Sequence, residues 1–133
     1  MSTSVSITML YGGLCTLLLV SLGGMVSAAR GKHKVYIGDT PPPELQRQIR
    51  AHGNAAEYIP IGILMLALLE LSGGVSSLWL HVLGGAFLLG RVLHVAGVLM
   101  KSPIATAGAA INYSTLGALG IWNIAQHFMG PGK

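Results

Sequence analysis

Arg47, Arg50, Asn54 and Glu57 follow one another at spacings of three, four and three residues within the stretch 44–60. On a helix that spacing puts all four on one face. Arginine offers a rigid fork of donors to a carboxylate or phosphate. Asparagine both donates and accepts, and glutamate accepts from an amine or guanidinium. Together these groups could grip a small zwitterion with several carboxylates and one amine. Arg50 precedes Glu57 by about 10 Å and Arg47 by about 15 Å at ~1.5 Å rise per residue. The same residues also fit an intramembrane ion-pair network, with Glu57 answered by Arg91 or Arg50. The two uses are compatible, since such a network can hold a ligand. Residues 61–69 are almost entirely apolar. The polar stripe therefore runs into what reads as a membrane span, where a carboxylate and an amide need partners.

The composition agrees with that setting. The 133 residues suffice for one domain. They are 52% hydrophobic and only 9% charged, against ~25% charged in a soluble domain. Lys and Arg outnumber Asp and Glu by eight to four. These cations cluster between apolar runs, so they read as determinants of membrane orientation and not as a nucleic-acid surface.

Four spans are expected, at about 5–29, 44–71, 78–100 and 104–128. The first is expected to be a retained span and not a cleaved signal peptide, since no Lys or Arg stands in residues 1–4 and the run is too long. Residues 30–43 read as a loop made basic by Arg30, Lys32, His33 and Lys34 and closed by three prolines. Proline suits a first helical turn, so the second helix should begin at Pro43 or Glu44. Pro60 lies inside that helix and frees one carbonyl a turn earlier. Residues 72–77 and 101–103 are short turns, and 130–133 a frayed tail. Long apolar runs without alternation leave helices as the spanning elements. The expected fold is an all-α integral membrane four-helix bundle. Every Lys and Arg except Lys133 lies in or beside the loops after spans one and three. The positive-inside rule puts those loops in the cytoplasm and both termini outside.

Other residues carry less. Cys15 stands alone, so no intrachain disulfide forms, and its apolar setting reads as packing. His52 points away from the stripe and reads as a solvated or packing residue. His94 lies one turn after Arg91, but no spacing typical of a metal site joins it to His52 and Glu57. No catalytic Ser-His-Asp set, P-loop or dinucleotide fingerprint occurs. Ala110, Ser114 and Ala118 form a row of small residues that serves either packing within the chain or an oligomer seam.

The stretch Arg50-Ala-His-Gly-Asn-Ala-Ala-Glu-Tyr-Ile-Pro60 resembles the signature of the MAPEG family, membrane-associated proteins in eicosanoid and glutathione metabolism. Gly90-Arg-Val-Leu-His94 resembles the family's third-helix motif, and the order of spans and the chain length also match. The resemblance implies a homotrimer in membrane lipid, with glutathione as co-substrate bound between subunits near the cytoplasmic side. By position, Arg50, Asn54, Glu57 and Tyr58 would contact glutathione, with Arg91 facing the same site. Arg47 and His94 join them as substrate-binding candidates. Arg30 matches a basic position near the thiol in some members and is the catalytic candidate.

Two departures stand out. Catalytic members carry an arginine early in the fourth helix, where this chain has Ala105, and a tyrosine late in the third is missing near Gly97 and Val98. A thiol of pKa near 8.5 needs a cation or donor to ionise at neutral pH. Arg30 or Lys101 could supply one. The expected function is that of a glutathione transferase or peroxidase acting on lipophilic electrophiles. The alternatives are a non-catalytic binding or scaffold protein of the same fold, and a small transporter subunit with Glu57 on its path.

Overall fold

The computed structural model describes residues 4–130. Four helices follow in order: α1 (Ser6–His33), α2 (Pro43–Leu71), α3 (Ser77–Met100) and α4 (Ile104–Met129). All four are long and apolar enough to cross a membrane, and the fold is an all-helical bundle without strands among the described residues. α2 starts at the last of the three prolines and continues unbroken through Pro60.

α1 runs about a turn further than the apolar run predicts. Arg30, Lys32 and His33 belong to its last turn and not to the loop, where cations face the negative end of the helix dipole. Lys34 ends the helix in the left-handed region at φ 53°. The Val35 N–H then reaches back to the Arg30 carbonyl at 3.1 Å and the Lys34 N–H to the Gly31 carbonyl at 3.3 Å. Val35 is buried at this turn, the apolar contact that accompanies such a cap. Lys101 ends α3 in the same conformation, with the Ser102 N–H on the Gly97 carbonyl at 2.8 Å.

α2 and α3 each contact the other helices, whereas α1 and α4 lie apart, on opposite sides of that pair. The core has two parts. Toward the basic loops, Cys15, Leu22, Ala51, Ala55, Ile59, Phe87 and Val95 pack together. At the other end Ile7, Leu66, Leu69, Leu80, Leu83 and Leu119 do so. Trp79 and Trp122 meet edge to face there at 5.9 Å, as amphipathic rings do at a membrane interface.

α3 and α4 approach most closely where Gly90, Gly97 and Gly108 are buried. The buried row on α4 is Gly108, Asn112, Thr115 and Leu119. Ala110, Ser114 and Ala118 are exposed on the opposite side. They do not serve packing within the chain.

α1 has no cap of its own at its first turn. Glu70, at the end of α2, supplies one: its carboxylate accepts the Ile7 N–H at 3.0 Å and the Thr8 N–H at 2.8 Å. Glu70→Ala should lower stability by ~1–2 kcal/mol, the upper range for a lost cap. Hydrogen exchange at Ile7 and Thr8 should quicken. Unchanged exchange at both amides would show that α1 is held by its apolar face alone.

Candidate functional site

Along α2 each residue turns by about 100°. Relative to Arg50, Glu57 lies about 20° to one side, while Asn54, Arg47 and Tyr58 lie about 40°, 60° and 80° to the other. The stripe therefore has two edges, and the structure uses them differently.

Arg50 and Glu57 are exposed. They line an open hollow of about 300 Å³ with Pro41, Gln46, Ile49 and Gly53. An adjoining hollow of about 460 Å³ is lined by Pro43, Gln46, Arg47, Arg50 and Val98. Arg50 and Gln46 belong to both. Two guanidinium groups and one carboxylate thus border two neighbouring hollows at the basic end of the bundle.

Asn54 and Tyr58 turn toward α3 and meet Arg91, which is only 2% exposed. Arg91 Nη1 donates to Asn54 Oδ1 at 2.8 Å. Because arginine only donates, this bond fixes the amide with its own N–H groups pointing away from Arg91. The guanidinium lies over the Tyr58 ring at 5.0 Å and near the Phe87 ring at 6.0 Å. Aromatic faces are a favourable setting for a desolvated cation. Among the described residues, Arg91 Nε has no hydrogen-bond partner, and neither has the buried Asn112 Oδ1. Arg91 thus acts from behind Asn54 and Tyr58, and its hydrogen bond goes to Asn54, not to Glu57.

The remaining candidates lie elsewhere. His94 Nδ1 is 3.0 Å from the Ala105 carbonyl. A carbonyl only accepts, so Nδ1 carries the proton, and His94 ties α3 to α4. Ala105 itself packs on Gly97, where α3 and α4 come close. Arg30 lines a separate hollow of about 440 Å³ with Gly31, Val35, Tyr36 and Ile37. Within one chain it does not join the stripe. His52 faces α1, with Nε2 beside Gly23. Among the described residues no three of His, Cys, Asp and Glu converge as a metal site.

Tyr113 does not stand out in the sequence as a site residue. Its hydroxyl lies 3.1 Å from that of Tyr58, and the rings meet edge to face at 5.7 Å. The only signal was a polar tip in the middle of an apolar span.

A bundle of four spanning helices with a buried arginine behind a polar stripe defines a class of membrane protein, and the sequence pattern of the MAPEG family matches residues 8–125. The chain belongs to the MAPEG family. It is similar to the inner membrane protein YecN of Escherichia coli strain K12, with 39% identity over 92 residues, 68% of this chain and 69% of that protein. YecN of the O6:H1 strain is similar to the same degree.

Proposed function

We propose that this protein binds glutathione in the hollows beside α2 and transfers it to lipophilic electrophiles that arrive through the bilayer. The observation that carries this reading is the joint lining of adjoining hollows by Arg47, Arg50 and Glu57. Glutathione has two carboxylates and one amine. The guanidinium groups suit the carboxylates, Glu57 suits the amine, and the Asn54 amide, held by Arg91, turns its donors outward. Arg30 serves as the cation for the thiolate only if a neighbouring subunit brings it there. The exposed row Ala110, Ser114 and Ala118 supports a homotrimer, since small residues let helices of adjacent subunits approach. The clustering of Lys and Arg after spans one and three supports a cytoplasmic position for those loops. The similarity to YecN, an inner membrane protein, supports an inner-membrane location.

A second reading, a non-catalytic scaffold of the same fold, is favoured by the packing of Ala105 against Gly97 where catalytic members place a cation.

Calorimetric titration with glutathione tests the first reading. Glu57→Gln should weaken binding by ~1–3 kcal/mol, the worth of a charged hydrogen bond. Because Glu57 is exposed, the variant should keep its stability. Equal affinity in the folded variant would remove Glu57 from the site, and no heat with the unaltered protein would defeat the reading as a whole.

A further inference from the structure

Tyr58 and Tyr113 bring together two hydroxyl groups at 3.1 Å, and either can be the donor. Two hydroxyls hold two protons, and one hydrogen bond uses one of them. Neither hydroxyl has another partner among the described residues. One O–H is therefore left to donate to something outside the chain. Tyr113 is 60% exposed and lies about 14 Å along α4 from its start, at ~1.5 Å per residue. That is near the middle of a hydrocarbon layer ~30 Å thick, where no water supplies an acceptor. Behind the pair, the buried Arg91 guanidinium sits 5.0 Å from the Tyr58 ring centre. Its bonded partner, Asn54, is neutral. A positive charge without a carboxylate, in a low dielectric, favours negative charge arriving at the neighbouring phenols.

We infer that the Tyr58–Tyr113 hydroxyl pair donates to the carbonyl oxygen of an α,β-unsaturated carbonyl substrate and holds the charge that develops there. This rests on the glutathione reading and adds a substrate class to it. In the reaction the glutathione sulfur forms a bond to the β-carbon. The π pair of the carbon–carbon double bond shifts toward the carbonyl, giving an enolate oxygen that accepts the phenolic hydrogen bond. The proton lost from the thiol is restored at the α-carbon as the carbonyl re-forms. Nothing is oxidised or reduced. Donors aimed at a developing oxyanion act on the transition state more than on the bound substrate. An electrophile that keeps its charge off oxygen gains nothing from them.

The test uses the full-length protein in lipid nanodiscs and the variant Tyr113→Phe, which keeps the ring and removes the hydroxyl at the exposed end of the pair. Glutathione affinity is measured by calorimetry, and turnover with a long-chain enone and with a benzyl halide that carries no oxygen. The expected result is a loss of at least about tenfold in enone turnover, short of the full worth of an oxyanion donor because the Tyr58 hydroxyl remains. Benzyl halide turnover and glutathione affinity should stay within about twofold of the unaltered protein. An equal loss on both substrates, no loss on the enone, or no enone turnover by unaltered protein that binds glutathione would each overturn the inference and leave glutathione binding standing. Absence of glutathione binding to the unaltered protein would overturn both. Size-exclusion and thermal profiles matching the unaltered protein establish that the variant is folded. If it is not, Tyr113→Leu decides by the same measurements, with the same selective loss expected on the enone.

Discussion

Gly108→Ala should cost the bundle about 3 kcal/mol or more, at the upper end of overpacking penalties. A Cβ at this position would meet backbone on the facing helix: the Gly90 oxygen at 2.7 Å and the His94 Cα at 2.8 Å, besides the His94 nitrogen. A side chain in the way can change rotamer, but backbone inside a helix can yield only by moving the helix. α3 and α4 would have to separate. The bond from His94 to the Ala105 carbonyl and the burial of Asn112 would suffer with them. Without the hydrophobic drive that water supplies, close packing of small residues is a main source of helix association in lipid. The loss should therefore not be recovered elsewhere. Gly117→Ala provides the contrast on the same helix. A Cβ there meets nothing within 4 Å, so the substitution should be neutral or gain up to ~1 kcal/mol in helix propensity. Unfolding in mild detergent by heat or denaturant measures both. Stabilities of the two variants within ~0.5 kcal/mol of each other would show that the α3–α4 contact relaxes at little cost.

The sequence made the spans legible because the signals for them are local. Long apolar runs, the prolines before Glu44 and the polar turns marked the second span at about 44–71, against Pro43–Leu71 for α2, and placed the limits of α3 and α4 within a residue. The end of α1 was harder to place. Four basic residues within five positions look like loop, and nothing local announces that Lys34 will take a left-handed conformation while Val35 buries itself behind it. The polar stripe was legible as a face, and its angular spread already held the division between Arg50 with Glu57 and Asn54 with Tyr58. What each edge meets was not legible. Arg91 is 37 positions from Asn54 and Tyr113 is 55 from Tyr58, and such pairings follow from how the helices are arranged. Glu70 shows the same limit. A carboxylate near the end of an apolar span has no local partner, and its role at the first turn of α1 depends on a residue 62 positions away. The row Ala110, Ser114 and Ala118 is periodic enough to mark a contact face, but periodicity does not say whether the contact lies inside the chain. The deeper row beginning at Gly108 filled that place.

Arg91 tests whether the buried charge serves the bundle or the ligand. Arg91→Ala should lower stability by about 3 kcal/mol, because it opens a cavity beside Phe87 and Tyr58 and removes the bond to Asn54. Arg91→Met fills most of that volume with an apolar chain. A buried charge replaced by a well-packed apolar group is often neutral or favourable, provided no opposite charge is stranded. The partner left behind is the neutral, partly exposed Asn54. The Met variant should therefore stay within ~1 kcal/mol of the unaltered protein. Its glutathione affinity should nevertheless fall about tenfold, or ~1.4 kcal/mol. The Asn54 amide would no longer be held with its donors outward, and the positive charge behind the stripe would no longer draw the carboxylates of the ligand. Unfolding curves and calorimetric titration of the two variants separate the effects. If Arg91→Met keeps full affinity, the guanidinium serves only the packing of α2 on α3. If it unfolds as readily as Arg91→Ala, the charge itself, with its aromatic neighbours, holds the bundle together.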